Sequence, residues 1–330
     1  MKGGSEMEKR KLILIMGILA CLLVFGLGLS PAFSAEYPTK PIKLLVAYKA
    51  GGSTDAAARL VGVFMEKQLG QAVTVVNLPG AGGQVGWTRL VESKPDGYTI
   101  GFINLPAINL VYATRKKVPF HPVRSFAPVG CNISDPNTIL VTKDSRFKNI
   151  KELLDYARTN PGKLTAVADG PVSDDHLALV RIQEAAGVKF KFVPYHGGAP
   201  SMAALLGKHG DLSVHNVFDY IKHKEKLRGL AQLWPERYSM IPEIPTFEEG
   251  AGIKLVGSST RGVAALAETP PDVLAKLQDA FKKATSDPEY LSKAEKMGLT
   301  LVEMTSSEFW KFNSDLQESV DKYKHFFVKK

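Results

Sequence analysis

Cysteine is nearly absent. Cys21 lies in an apolar stretch near the N-terminus, and Cys131 is the only other one in 330 residues. Once that stretch is removed, no intramolecular disulfide can form. The seven histidines are dispersed, and no Cys/His cluster has the spacing of a zinc site, so neither metal nor cofactor is expected. No G-x-x-x-x-G-K-[ST] loop and no G-x-S-x-G elbow occurs, which removes the common nucleotide and serine-hydrolase signatures. Gly80, Gly82 and Gly86 after a strand resemble a dinucleotide loop, but a lone glycine pattern is a weak sign. Beyond Ala35 no apolar run is long enough to cross a bilayer. Basic residues are scattered rather than interleaved with aromatics, which argues against nucleic acid as a partner.

What is present begins with an export pattern. Lys9, Arg10 and Lys11 precede an almost unbroken apolar stretch from Leu12 to Leu29, and small residues follow at Ala32, Ser34 and Ala35. This reads as a signal peptide over residues 1–35, cleaved after Ser34 or Ala35. The rival reading is a retained anchor, since about 18 apolar residues just span a bilayer. Lipidation at Cys21 is disfavoured by the apolar residues that follow it. The chain carries a formal charge of +9, and +7 without the leader. A periplasmic or extracellular location is expected.

The remaining chain is long enough for two domains. Lys43–Tyr48, Ala72–Val76 and the segment PDGYTIGFIN read as strands. A helix with Ala57, Leu60, Val61 and Phe64 on one face ends at Gly70, and another spans Val85–Val91. The βαβαβ order implies a parallel sheet covered by helices. After Pro136 the pattern restarts. Strands are expected at Thr138–Val141, Lys163–Ala168, Lys189–Pro194, Asp211–His215 and Leu227–Leu233. A helix is capped by Asn149 with Glu152 as its capping-box partner, and others cover Leu177–Ala186 and Ser201–Leu206. In the C-terminal third, Thr269 is expected to cap a helix, and Thr305 with Glu308 to form a capping box. Phe309, Phe312, Leu316, Val320, Tyr323 and Phe327 then make a helical stripe that would pack the tail onto the first domain. The first domain would be discontinuous, 36–137 with 257–330, and the second would be 138–256.

Four glycine-rich turns leave strand ends and open helices: Gly51-Gly52-Ser53-Thr54, Gly80-Ala81-Gly82-Gly83, Gly170-Pro171-Val172-Ser173 and Gly197-Gly198-Ala199. In a parallel α/β sheet such turns gather at the carboxyl edge, where ligands bind. Glycine lets a ligand approach the backbone, and helix N-terminal amides favour an anion. No lysine or arginine lies inside the four segments, though Lys49 and His196 flank them. Phosphate would call for such a cation, so a carboxylate held by amides and hydroxyls is expected. Ser53, Thr54 and Asp55 also suit a helix N-terminus with no ligand present, and so do Ser173 and Asp174. His176, one turn into a helix, is read equally as a packed residue or a ligand contact. Tyr195, His215 and Asn216 stand at strand ends.

The segments YPTKPIKLLVAYKAGGSTDAAARL, GQAVTVVNLPGAGGQVG, PDGYTI, FAPVG, KELLDYARTNPGKL, VPYHGGAP, KLRGLA and PEIPTFEEG together resemble the substrate-binding proteins of tripartite tricarboxylate transporters, the Bug receptors. The likeness covers nearly all of the chain after the leader. It implies a type II periplasmic-binding-protein fold: two doubly wound, Rossmann-like α/β domains joined by a hinge, with the ligand cleft between them. It also implies capture of a small organic carboxylate, delivery to a permease of one large and one small subunit, and no catalysis. A receptor feeding a sensor, or an extracytoplasmic enzyme on the same fold, are the alternatives. Carried over by position, Gly51, Gly52, Ser53, Thr54, Asp55, Gly82 and Gly83 line the first wall, with Asn104 on the loop after the third strand. Thr165, Gly170, Ser173, Asp174, His176, Tyr195 and Gly198 line the second, with His215 and Asn216 at a nearby strand end. The family usually has Pro-Phe where this chain has Ala47-Tyr48, so the Tyr48 phenol adds a hydrogen-bonding group. Leu78 and His196 stand where arginine and lysine are common.

The export pattern sets a first test. Mass spectrometry of protein secreted by the native host should find an N-terminus near Glu36; an intact Met1 or Lys2 would count against a cleaved leader.

Overall fold

The computed structural model describes residues 37–195 and 197–327; the leader, Cys21 and His196 lie outside them. Its strands, in chain order, are β1 (Ile42–Val46), β2 (Val73–Asn77), β3 (Thr99–Leu105), β4 (Phe126–Thr142), β5 (Thr165–Asp169), β6 (Lys191–Tyr195), β7 (Leu212–Asn216), β8 (Leu227–Gln232), β9 (Ser258–Leu266) and β10 (Leu301–Met304). The helices are α1 (Ser53–Leu69), α2 (Gln84–Val91), α3 (Ala107–Thr114), α4 (Ile150–Thr159), α5 (Asp174–Ala186), α6 (Gly198–Leu206), α7 (Val217–His223), α8 (Phe247–Ala251), α9 (Pro271–Thr285), α10 (Pro288–Lys296) and α11 (Ser306–Tyr323).

β1 exposes only Lys43, as a parallel strand with helices on both faces must. It pairs in parallel with β2 and β3, and α1 and α2 supply the crossovers. A second parallel set, β6-β5-β7, repeats the arrangement. Between the two sets run β9 and β4, so the order is β2-β1-β3-β9-β4-β7-β5-β6, with β8 and β10 also paired to β4. The α/β class and the two parallel sets agree with the sequence reading.

The joint between them does not. A restart was expected after Pro136, yet β4 runs unbroken for 17 residues. Its first part, to Pro136, pairs antiparallel with β9; from Asn137 it pairs with β7 and β8. Proline supplies no ladder N–H, and a bulge tolerates that. Pro128 sits where the β4–β9 register shifts, and Pro136 pairs with Ser258, the first residue of β9.

Local signals explain most helix ends. Gly70 closes α1 with a left-handed φ of 66°. Asn149 accepts from the Glu152 N–H, but Glu152 returns its bond to Lys148 N rather than to Asn149 N. Thr305 and Glu308 form the full reciprocal box. Thr269 is not a cap: α9 starts behind Pro270, and the buried Thr269 hydroxyl has no partner. The two prolines set the helical turn without it.

One core lies under β1, β3 and β9, with Trp87, Ile103, Ile108 and Phe309. Another lies under β5 and β7, with Leu153, Leu179, Val214 and Phe247. The front of the tail stripe packs on the first core as expected, but its end also reaches Leu177 and His176 of the second segment. Phe309 is fully buried in the first core, with Phe312 and Leu316 against it, while Val320, Tyr323 and Phe327 gather around Leu110 and Leu177. Phe309→Ala should therefore destabilise by about 3–5 kcal/mol, the usual range for a buried phenylalanine. Urea unfolding should show a lower midpoint at unchanged slope; an unmoved midpoint would mean that α11 is not part of the cooperative core.

Candidate functional site

The carboxyl ends of β1, β2 and β3 carry one group of the expected residues, and those of β5, β6 and β7 carry the other. Tyr48 follows β1 and packs edge-on against Trp87, with ring centroids 6.1 Å apart. Burial, with the charges of Asp169 and Asp174, pushes its phenol well up, and Arg261 opposes this.

The first turn is built from within. Gly51 has φ 88°, and Gly52, the N-cap of α1, has an ordinary φ of −82°. A Cβ on Gly52 would meet nothing nearer than Lys49 O at 3.9 Å, so this backbone is open. Asp55 lies inside α1, and its carboxylate is spoken for. It accepts from Gly51 N at 2.9 Å, Arg59 Nε at 3.0 Å and Asn77 Nδ2 at 2.9 Å. Burial opposes ionisation there, but the bonds from Arg59, Gly51 and Asn77 outweigh it and hold the carboxyl below its usual range. Asp55 thus braces the turn. Ser53 opens α1, and Thr54 accepts from Asn104 Nδ2 at 2.9 Å. Asn104 itself is the penultimate residue of β3, not part of the loop after it, because the pairing with β9 continues to Leu105. The second turn has a packing rationale: Gly82 and Gly83 have φ 58° and 98°, and a Cβ on Gly83 would strike the Trp87 ring at 2.5 Å.

On the other side, Ser173 caps α5 by accepting from His176 N at 3.1 Å. Asp174 accepts from Asn137 Nδ2 and Asn216 Nδ2, both at 3.0 Å. Gly170 N donates to Asp169 at 2.6 Å, and a Cβ on Gly170 would sit 3.3 Å from the carbonyl of Tyr195, which ends β6. In the same turn Val172 holds a φ of 75°, a conformation that costs a β-branched residue on the order of 1–3 kcal/mol. Packing of Val172 against Leu110, Leu177 and Val320 holds it there. Gly198 opens α6, with its Cα facing Asp219 and His215.

Three expectations need correction. Thr165 begins β5, and its N–H bonds to Asp211 at 2.7 Å. It lies at the amino edge, about 13 Å of strand from Asp169, and cannot share a wall with the Gly170 turn. His215 and Asn216 are not exposed at the strand end. His215 is 1% exposed, with Nε2 3.1 Å from Ser201 Oγ and Nδ1 3.5 Å from Asp219. Asn216 spends its amide on Asp135 O and Asp174. His176 is a packed residue: it stacks on Phe192 at 4.0 Å and meets Phe327 edge-on at 4.7 Å. Burial lowers its pKa to about 4.

Sequence reasoning missed the buried charges. Asp135 and Arg261 are 1% and 3% exposed and 3.7 Å apart; burial pushes the Asp135 carboxyl up to about 7 despite Arg261. Asp175 is also buried, accepts from Asn137 Nδ2 at 3.1 Å, and has its pKa raised well above the carboxylate range by burial. A single charge in the strand STRGVAAL was the available signal, since arginine is seldom fully buried. Among the described residues no group of His, Cys, Asp and Glu is placed to hold a metal ion, and no helix is long and apolar enough to cross a membrane. A surface cavity of 480 Å³, lined by Tyr112, Arg115, His121 and Asp321 among others, is separate from these strand-end residues.

Residues 57–329 match the family described as tripartite tricarboxylate transporter family receptor. A protein encoded in the gbd 5′ region of Cupriavidus necator is 35% identical over 94% of both chains. Among solved structures, one described as a periplasmic transporter is 32% identical with a TM-score of 0.79, covering 87% of this chain and 97% of its own. The periplasmic binding protein BugD is 28% identical with a TM-score of 0.79, covering 89% of this chain and all of its own.

The packed His176 yields a pH test. Its folded pKa lies below the unfolded value of about 6.5, so the unfolded chain takes up the proton first, and stability falls as pH drops from about 6.5 to 4. Asp135 has the opposite sign: its folded pKa of about 7 is raised, so its contribution is lost as pH rises from about 4 to 7. His176→Phe keeps the stacking and removes only the first effect. Between pH 7 and 4.5 the variant should gain about 2–3 kcal/mol relative to wild type, read by calorimetric unfolding. Parallel pH profiles would contradict a buried neutral His176.

Proposed function

The chain belongs to the tripartite tricarboxylate transporter receptor family, and on that premise we propose that it is an extracytoplasmic solute receptor. It captures a small organic carboxylate in the periplasm or outside the cell. It then hands this ligand to the large and small permease subunits of a tripartite transporter, without catalysis. The observation that carries the reading is the Gly51–Asp55 turn: open glycine backbone at the N-terminus of the 17-residue α1, braced from behind by Asp55. Amides at such a terminus suit a carboxylate. In this reading the end of β5 with Asp169 and the start of α5 with Asp174 form the opposite wall, and the bearing of both charges on the Tyr48 phenol supports it.

The two walls belong to two domains, 36–137 with 257–330 and 138–256. β4 changes partner at Pro136–Asn137, and this supports a boundary there. Ligand binding would draw the walls together about this crossing. In the proposed site Tyr48, Gly51, Gly52, Ser53, Thr54 and Asn104 face Gly170, Ser173, Asp174, Tyr195 and Gly198. Asp55, Gly82, Gly83, His176, His215 and Asn216 support them from behind.

Gly52→Val tests the wall. The φ of −82° and the open space around Gly52 let the variant fold, while the new side chain occupies the ligand's approach. A carboxylate found by thermal-shift screening stabilises wild type by about 2.7 kcal/mol at 100 times its Kd. The same compound should give no shift with folded Gly52→Val. Wild-type affinity in that variant would remove the turn from the site, and a complete carboxylate screen without any shift would remove the receptor reading.

A further inference from the structure

The 480 Å³ cavity lies outside the strand-end residues, between the end of α3, the segment that follows it and the last turns of α11. Its walls are tied together. Trp310 Nε1 donates to Val123 O at 3.1 Å and Asn313 Nδ2 to Pro122 O at 2.9 Å, so α11 is pinned to the segment that carries His121. Gln317, in the lining, accepts from the buried Asn109 of α3 at 3.2 Å. The hollow is therefore a fixed part of the fold and not a gap between loose side chains.

Its charges do not balance. Arg115, Lys116, Lys324 and Asp321 all line it. Lys324 and Asp321 satisfy each other at 3.1 Å, and Gln317 Nε2 donates to the same carboxylate at 3.3 Å. Among the described residues neither Arg115 nor Lys116 forms an ion pair, so two cations in one hollow remain uncompensated. Arg115 is half-buried and held in place. Its Nη1 donates to Gln84 Oε1 at 2.7 Å, while Gln84 Nε2 donates to Lys117 O at 2.9 Å. Its Nη2 lies against Gly82, where a Cβ would stand 3.4 Å away. Burial lowers its pKa with no anion to offset the effect. Fixing a guanidinium partly out of water without a counter-charge is unfavourable for folding alone. His121 is oriented as well. Its Nδ1 accepts from Val123 N at 3.1 Å and Arg124 N at 3.3 Å, so the neutral ring carries its proton on Nε2 as a donor. The ring packs on Tyr112, with centroids 4.8 Å apart.

Two uncompensated cations call for two negative charges. A carboxylate supplies one. A phosphate monoester carries about −1.5 to −2 at neutral pH, on oxygens that a guanidinium fork matches. The cavity also exceeds what a bare phosphate fills, since small-molecule sites span about 300–1,000 Å³, and Tyr112 and Val118 give its lining an apolar stretch. We propose that this cavity is a second binding site, distinct from the strand-end site, for a phosphate monoester: the phosphate meets Arg115, Lys116 and the His121 Nε2 proton, and the organic group lies against Tyr112 and Val118. The assignment does not depend on the receptor reading.

Titration calorimetry at fixed ionic strength tests it with phenyl phosphate, with phenyl sulfate, which has the same shape and a single charge, and with inorganic phosphate. Phenyl phosphate should bind at least about tenfold tighter than either, the lower bound for a hydrogen bond to a charged group. Arg115→Gln should weaken it by about 10- to 150-fold on the same scale. Lys116→Gln, at an exposed position, should weaken it by about threefold and decides the matter if Arg115→Gln does not fold. Gly52→Val should leave phenyl phosphate binding unchanged; a loss there would place the ligand at the strand ends and overturn the proposal. Phenyl sulfate binding as tightly as phenyl phosphate, no binding of phenyl phosphate, or an affinity untouched by both cation variants would overturn it too. The receptor reading stands or falls separately, on the carboxylate screen.

Discussion

The change of partner along β4 at Pro136–Asn137 is the constraint on which the arrangement of the site depends. Asp135 and Asn137 flank that point, two residues apart and so on one face of the strand. Asp135 accepts from Phe218 N through its side chain and from Asn216 through its carbonyl. Asn137 donates to both Asp174 and Asp175, and its backbone is tied to Gly257 and Leu233. Three strand ends and the start of α5 are thereby registered against one crossing. A buried polar group left without a partner costs about 1–3 kcal/mol, so these bonds fix position more firmly than apolar packing of the same area, which tolerates sliding.

The buried pair Asp135–Arg261 is hard to justify as a stabilising contact. At 3.7 Å it lacks a hydrogen bond, and desolvation of two ions commonly exceeds what such a pair returns. The raised Asp135 carboxyl expresses that imbalance. Apolar residues would serve the fold at least as well. What they could not supply is a guanidinium held rigidly opposite Asn104 with a free Nη1. Unmet polar atoms in an otherwise well-bonded interior point to function more readily than to folding, and Val172, held at φ 75° in the facing turn, is a second local cost placed in the same region.

Much of the fold was legible because it rests on local signals. Periodicity marked β1, α1, β2 and α2, Gly70 marked an end, and Thr305 with Glu308 marked a start. Segments whose identity is set by distant partners were not legible. β9 holds Ser258, Thr260 and Arg261 in a run that alternation does not flag, and its pairing with β3 and β4 alone makes it a strand. Pro136 reads as a break because the strand end that accommodates it, Ser258 of β9, belongs to another segment. Within the site, the glycine turns were visible as turns. The roles were not: Ser173 caps α5 as its sequence also allowed, whereas Asp55 braces the turn ahead of α1 instead of capping it, Thr165 belongs to the far edge, and the charges of Asp169, Asp219 and Arg261 meet only after folding.

Charge shows the same division between scales. The net +7 after the leader is spread over the surface and screened beyond about 8 Å at physiological ionic strength. It biases the approach of an anion but does not reach the seat. Inside the fold the governing distances are those of single hydrogen bonds. There Asp174 is held by Asn137 and Asn216, Asp135 lies 3.7 Å from Arg261, and Asp219 lies 3.5 Å from His215. Net charge and the absence of lysine from the turns describe the approach to this protein; the polarity of its interior is set by groups that only the crossing at β4 brings together.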